Sequence, residues 1–137
     1  MKIVSDTNVL VAGLLSSFGP PAQVLQLLLA EKLRLCYDNR ILTEYRDVLA
    51  RPKFAFDGEL VAVFLDFLEQ AGELVVPTPW PAALPDADDA MFLEVAAAGK
   101  ADYLVTGNLR HFPSLQRRGI RVATPAEFIG AADVKAL

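Results

Sequence analysis

Four polar residues stand in segments that a folded sheet would bring together. Asp6 follows the run Lys2–Ser5, Glu44 lies in a helical pattern that begins at Arg40, Asp89 closes the acidic cluster Asp86-Ala87-Asp88-Asp89, and Asn108 follows Tyr103–Val105. Three carboxylates and an amide drawn from separate segments have the chemistry of a hard-cation site, because Mg²⁺ and Mn²⁺ take oxygen ligands and keep part of their water. An ion held that way activates water and stabilises charge on phosphoryl oxygens, so the set points to hydrolysis.

Each residue also has an ordinary structural use. Asp6 sits at the carboxyl end of a predicted strand, where open α/β sheets take ligands, yet an aspartate there equally caps a following helix. Glu44 borders the apolar face made by Ile41, Tyr45 and Val48, so its carboxylate points towards the edge of the interior. Such a charge is costly unless paired, and either a bound cation or a salt bridge to Arg40 or Arg51 satisfies it. Asp89 shares a predicted helix face with Phe92, Leu93 and Ala96. Three acids at one helix start exceed what its cap and dipole require, and a divalent ion relieves their repulsion. Asp86 and Asp88 suit solvated caps.

The stretch Thr106-Gly107-Asn108-Leu109-Arg110-His111 again places polar groups at a strand's carboxyl end. Asn108 is suited to orient a metal-bound water or donate to a phosphate oxygen, but it lacks the charge to hold a second ion, so one metal is easier to justify than two. The same residues also read as a turn. His111 is the only histidine, which excludes a multi-histidine zinc site; beside Arg110 it is placed for phosphate contact or for a plain surface role. Arg46, Arg51, Lys53, Arg117, Arg118 and Arg121 offer a positive rim or a solvated basic surface.

The elements that must position these residues alternate in type. Strands are expected at Lys2–Ser5, Leu33–Tyr37, Glu73–Val76, Tyr103–Val105 and Arg121–Val122, and helices over Val9–Leu15, Pro21–Ala30, Arg40–Leu49, Asp57–Gln70, Asp88–Ala98 and Pro125–Gly130. That alternation is the sequence form of an α/β fold in which helices cover both faces of a mostly parallel sheet. Thr124 before Pro125 is a strong helix start. One domain is expected over residues 1–130, followed by an alanine-rich tail from 131 to 137 that extends the last helix, frays or joins an interface.

With 137 residues, 53% of them hydrophobic, the chain has a globular composition. Its 17 acidic and 13 basic side chains give a net charge of −4, which argues against gripping nucleic acid by charge over the whole surface while leaving room for a local basic rim. Cys36 is the sole cysteine and no leader-like segment opens the chain, so a cytoplasmic location is expected. The leucine-rich run ending at Glu31 is too short to span a bilayer. There is no Gly-rich phosphate loop after the first strand, no nucleophile elbow and no cysteine pair. Phe18, Phe54, Phe56, Phe64, Phe67 and Trp80 are expected in the core or an interface.

Taken together, Asp6-Thr7-Asn8, Glu44, Asp86 with Asp88-Asp89 before Phe92-Leu93-Glu94, and Ala101-Asp102-Tyr103-Leu104-Val105-Thr106-Gly107-Asn108 with His111-Phe112 resemble the PIN domain family. The likeness is to the small VapC-like toxin components of bacterial or archaeal toxin–antitoxin pairs, and it spans nearly the whole chain. The resemblance implies a three-layer, Rossmann-like α/β fold with four or five parallel strands, and a Mg²⁺- or Mn²⁺-dependent endoribonuclease. It implies that Asp6, Glu44 and Asp89 are the family's invariant acids, with Asp6 and Asp89 holding the ion and Glu44 completing the site or orienting water. Asn108 stands where the family often carries a fourth acid. Asn8, Asp86 and Thr106 would support these residues, and Arg110 and His111 would meet RNA. A homodimer and a small antitoxin protein are the implied partners. Two other classes stay open: a receiver-like signalling domain that binds Mg²⁺ without catalysis, and an inactive RNA- or antitoxin-binding module.

Overall fold

The computed structural model describes residues 1–137 and contains one five-stranded sheet. Its strands are β1 Lys2–Ser5, β2 Arg34–Tyr37, β3 Glu73–Leu74, β4 Tyr103–Val105 and β5 Val122–Ala123, ordered β3-β2-β1-β4-β5. Every neighbouring pair is parallel, and Ile3 of β1 aligns with Leu35 on one side and Tyr103 on the other. Helices α1 Thr7–Leu15, α2 Pro20–Leu29, α3 Asn39–Leu49, α4 Gly58–Ala71, α5 Ala90–Ala98, α6 Pro125–Gly130 and α7 Ala132–Lys135 flank the sheet on both sides. The α/β class and the parallel sheet expected from the alternation are therefore what the chain forms.

Central strands covered on both faces read as continuous apolar runs. Ile3, Val4, Leu104 and Val105 accordingly have no exposed surface. Helix α5 lies across β1, β2 and β4, α4 packs against β2 and β3, and α6 against β4 and β5. From β1 the chain moves outward through β2 to β3, then crosses β1 and continues outward through β4 to β5. Connections thus leave β1 and β4 in opposite directions, opening a crevice beyond their carboxyl ends.

Acids at strand ends start the helices. Asp6 is the N-cap of α1, and Asp38 caps α3 by accepting from the Ile41 N–H at 3.0 Å. Thr124 and Glu127 form the reciprocal capping box that opens α6, as the Thr-Pro pair predicts.

Some boundaries differ from expectation. The third strand ends at Leu74 because β3 has only β2 to pair with and Pro77 and Pro79 remove donors just beyond it. The helix expected from Asp88 divides into a 3₁₀ turn, Ala87–Asp89, and α5, so Asp89 stands at the helix N-cap rather than within the first turn. The last strand is Val122–Ala123, one residue later than expected. In the tail, α7 follows a turn at Ala131 and buries Val134. Phe18, expected in the core or an interface, is 86% exposed between α1 and α2, which rules out the core. No single helix is long and apolar enough to cross a membrane.

Candidate active site

Beyond β1 and β4, Asp6 is nearly enclosed, at 7% exposure. Its Oδ2 accepts from Thr106 Oγ1 at 2.8 Å and from Asn8 Nδ2 at 3.4 Å, and its backbone N–H donates to Val105 O at 2.8 Å. Burial raises the Asp6 carboxyl above its ordinary value, against the lowering effect of the Thr106 and Asn8 hydrogen bonds. Asn8 also accepts from the Gly107 N–H at 3.0 Å, clipping the loop after β4 to the start of α1.

Helix α3 is fixed to the same strand end by Tyr45, fully buried, whose hydroxyl donates to Ser5 O. The preceding residue, Glu44, is half-buried and accepts from the Thr7 hydroxyl. Neither arginine considered from the sequence pairs with it. Arg40 is engaged by Asp38 and Glu94, and Arg51 forms no ion pair. Thr7 is a site residue that sequence reasoning does not single out, because a threonine in the first turn of a helix has no unusual signal.

Asp89, the N-cap of α5, makes no side-chain capping bond; Asp86 caps the preceding 3₁₀ turn by accepting from the Asp88 N–H at 2.9 Å. One Asp89 oxygen, Oδ2, is buried without a hydrogen bond. His111 Nδ1 stands 3.1 Å from it, close enough for electrostatic attraction but without hydrogen-bond alignment. The Asp89 carboxyl is pushed up to about 6, chiefly by burial and next by the Asp6 charge, with Asp86 and Glu44 adding to the rise and His111 opposing it.

Asp6, Asn8, Glu44, Asp89 and His111 line one cleft of about 340 Å³, joined there by Thr7, Arg51 and Phe54. Thr106 lies behind Asp6 and is fully buried. Asn108, Asp86 and Arg110 are outside the cleft lining. Asn108 Oδ1 accepts from the Arg110 N–H at 3.2 Å and caps the 3₁₀ turn that delivers His111 to the cleft. A larger groove of about 540 Å³ adjoins across Glu44, Val48 and Arg51, but Asp6 and Asp89 face only the smaller space.

No three His, Cys, Asp or Glu side chains approach closely enough to enclose an ion by themselves. The buried Asp89 oxygen that accepts no hydrogen bond, and the Asp6, Asp86 and Glu44 charges that add to burial in raising the Asp89 carboxyl, nevertheless mark negative charge that a cation would relieve.

Residues 2–110 match the family model described as PIN domain. Over 140 residues the chain is 27% identical to an uncharacterized protein of Methanocaldococcus jannaschii, an alignment covering 94% of this chain and 90% of that one. Two solved structures are similar in fold. VapBC2 from Rickettsia felis, bound to a DNA fragment from their promoter, gives a TM-score of 0.58, and FitAcB from Neisseria gonorrhoeae gives 0.57. Both are 17% identical, covering 90% of this chain and 98% of theirs, a level at which the likeness carries the fold alone.

Proposed function

Because this chain belongs to the PIN domain family, we propose that it is a divalent-metal-dependent ribonuclease that hydrolyses RNA phosphodiester bonds, serving as the toxin of a toxin–antitoxin pair. The observation that carries this reading is the meeting of Asp6, Glu44 and Asp89 in one cleft at the β1/β4 crevice, with an Asp89 oxygen buried and accepting no hydrogen bond. Mg²⁺ and Mn²⁺ suit these donors, since hard ions of this kind are held by one or two carboxylates and retain several waters.

Asp6 and Asp89 would hold the ion, with Glu44 completing the site directly or through water. Once bound, the ion supplies a water-derived nucleophile and stabilises charge on the phosphoryl oxygens. The Thr106 hydroxyl and Asn8 orient Asp6, and the Thr7 hydroxyl holds Glu44, which would orient a water for attack. Asn108, outside the cleft lining, uses its side-chain carbonyl on the Arg110 N–H and would offer its amide nitrogen to a phosphate oxygen of RNA. Unpaired Arg51 in the cleft and exposed Arg110 would supply positive charge for the RNA backbone, with His111 beside them at the cleft wall.

An antitoxin and a second copy of the chain are the partners proposed. Leu60 and Val63 on α4 are 69% and 67% exposed, and Leu74 and Val76 at the sheet edge are 57% and 92% exposed, which leaves apolar surface for a partner to cover. The acidic cleft suits an antitoxin arginine. Likeness in fold to FitAcB and VapBC2 supports this assignment.

The test is cleavage of a panel of structured and single-stranded RNAs with Mn²⁺, Mg²⁺ or chelator, comparing the native chain with Asp6→Asn and Asp89→Asn. Metal-dependent cleavage, lost in both folded variants, is expected. A partner-free protein that binds Mn²⁺ yet cleaves none of the RNAs would overturn the nuclease and leave a module that binds RNA or antitoxin.

A further inference from the structure

We propose that Arg40 and Glu94 form a positioning pair that sets the separation of the helices carrying Glu44 and Asp89, and thereby the affinity of the cleft for its divalent ion. The inference rests on the metal-dependent reading above. Glu94 is a charged side chain with no part in the chemistry, yet it is only 8% exposed. Both of its oxygens are engaged: Oε1 lies 2.8 Å from Arg40 Nη1 in an ion pair, and Oε2 accepts from the Trp80 N–H at 2.7 Å. Arg40 also donates to Asp38 Oδ2 through Nε at 2.8 Å, with Nη2 in an ion pair 2.7 Å from the same oxygen. Asp38 is itself buried and caps α3. The planar guanidinium thus lies between two carboxylates, hydrogen-bonded to Asp38 and ion-paired with Glu94, a span that a lysine ammonium does not reproduce.

The position of this pair relates it to the cleft. Arg40 lies one helical turn before Glu44 on α3, and Glu94 lies little more than one turn beyond Asp89 on α5. The same two side chains line the 540 Å³ groove and a separate pocket of about 280 Å³. With open space on both sides of Arg40 and Glu94, their ion pair is the contact that spans the gap between the helices at this level, outside the buried core formed by Ile41, Tyr45 and Leu93. Repulsion among Asp6, Glu44 and Asp89 acts to spread the walls of the cleft, and the pair opposes it. Glu94 also anchors Trp80, whose Nε1 donates to Gln116 O at 3.0 Å, in the irregular segment that leads into Asp86–Asp89.

Calorimetric titration of the metal-free chain with Mn²⁺ tests the proposal on Arg40→Gln, Glu94→Gln and the double variant, with thermal unfolding run in parallel. Each single variant is expected to lose roughly tenfold in Mn²⁺ affinity, the loss typical of outer-shell partners of metal sites. The double variant is expected to lose no more than either single, because removing one partner already breaks the strut. The sign for Arg40 is diagnostic: a simple charge effect would tighten Mn²⁺ binding in Arg40→Gln and weaken it in Glu94→Gln. Arg40→Lys, which keeps the charge but not the fork, should show the same loss as Arg40→Gln. Glu94→Gln retains an oxygen for Trp80, the single tryptophan, so its fluorescence should stay native. Unchanged or tighter Mn²⁺ binding in folded Arg40→Gln or Arg40→Lys, or additive losses in the double variant, overturns the positioning role alone. A native chain that binds no Mn²⁺ overturns the metal-dependent reading and this proposal with it.

Discussion

Thr106 Oγ1 donates to Asp6 Oδ2 at 2.8 Å, so the residue after β4 holds the carboxylate after β1. Both side chains are buried, and the same hydroxyl accepts from the Asn108 N–H at 3.1 Å. Thr106→Val keeps the shape but removes both bonds, and urea unfolding should show a loss of roughly 1–3 kcal/mol. Thr106→Ser should retain most of that stability. A valine variant that unfolds at the native midpoint would show that the bond contributes nothing net.

The raised Asp89 carboxyl gives a definite pH dependence. Below the ordinary value of 3.8 the group is protonated in both native and unfolded chains, and above about 6 it is ionised in both. Between these values the native state binds more protons, so metal-free stability falls as pH rises from 3.8 to about 6. The raised Asp6 carboxyl acts in the same direction. Asp89→Asn should flatten this part of the stability profile and make the metal-free protein more stable at neutral pH, as read by denaturant unfolding across the range. Mn²⁺ affinity of the native chain should weaken below about pH 6, where protons compete for Asp89.

Gly72, at the end of α4, allows the helix to meet β2 closely. A Cβ there would lie 2.5 Å from Leu68 O and 2.7 Å from Leu35 O, both backbone atoms. Gly72→Ala should therefore cost about 1–3 kcal/mol through overpacking, visible as a lowered thermal midpoint. An alanine variant as stable as the native chain would mean that α4 shifts freely on β2.

At the far side of the sheet, α6 depends on its first turn. Thr124 Oγ1 accepts from the Glu127 N–H at 3.1 Å, and Glu127 Oε1 accepts from the Thr124 N–H at 2.9 Å. Thr124→Ala should cost about 1 kcal/mol, with Thr124→Ser close to native in the same unfolding experiment. The helix carries Phe128, fully buried with its ring edge-on to Tyr103, so loosening its start exposes the packing of β4.

The alternation of apolar runs with helical periodicity was enough to read an α/β fold, since covered parallel strands and amphipathic helices leave distinct patterns. Asp6, Glu44 and Asp89 could be singled out for a related reason: each is polar where the local pattern places a strand end or an inward-facing helix edge. The extent of β3 was less legible, because its pairing depends on how far β2 runs beside it. So was the 3₁₀ turn before α5, where an acidic run is compatible with either helix type.

By itself the chain determined which segments become strands and helices, and which acids stand at their ends, because these follow from local periodicity and capping chemistry. Tertiary structure decided what those acids meet. Only the reversal of strand order at β1 brings Thr106 to Asp6, and only the packing of α1 beside α3 gives the Thr7 hydroxyl to Glu44 rather than leaving that carboxylate to Arg40 or Arg51. Glu94 looks like a solvated residue in an alanine-rich helix until Arg40 arrives from α3 and Trp80 from the segment before α5. Such pairings depend on distances between segments remote in sequence, and no local pattern encodes them.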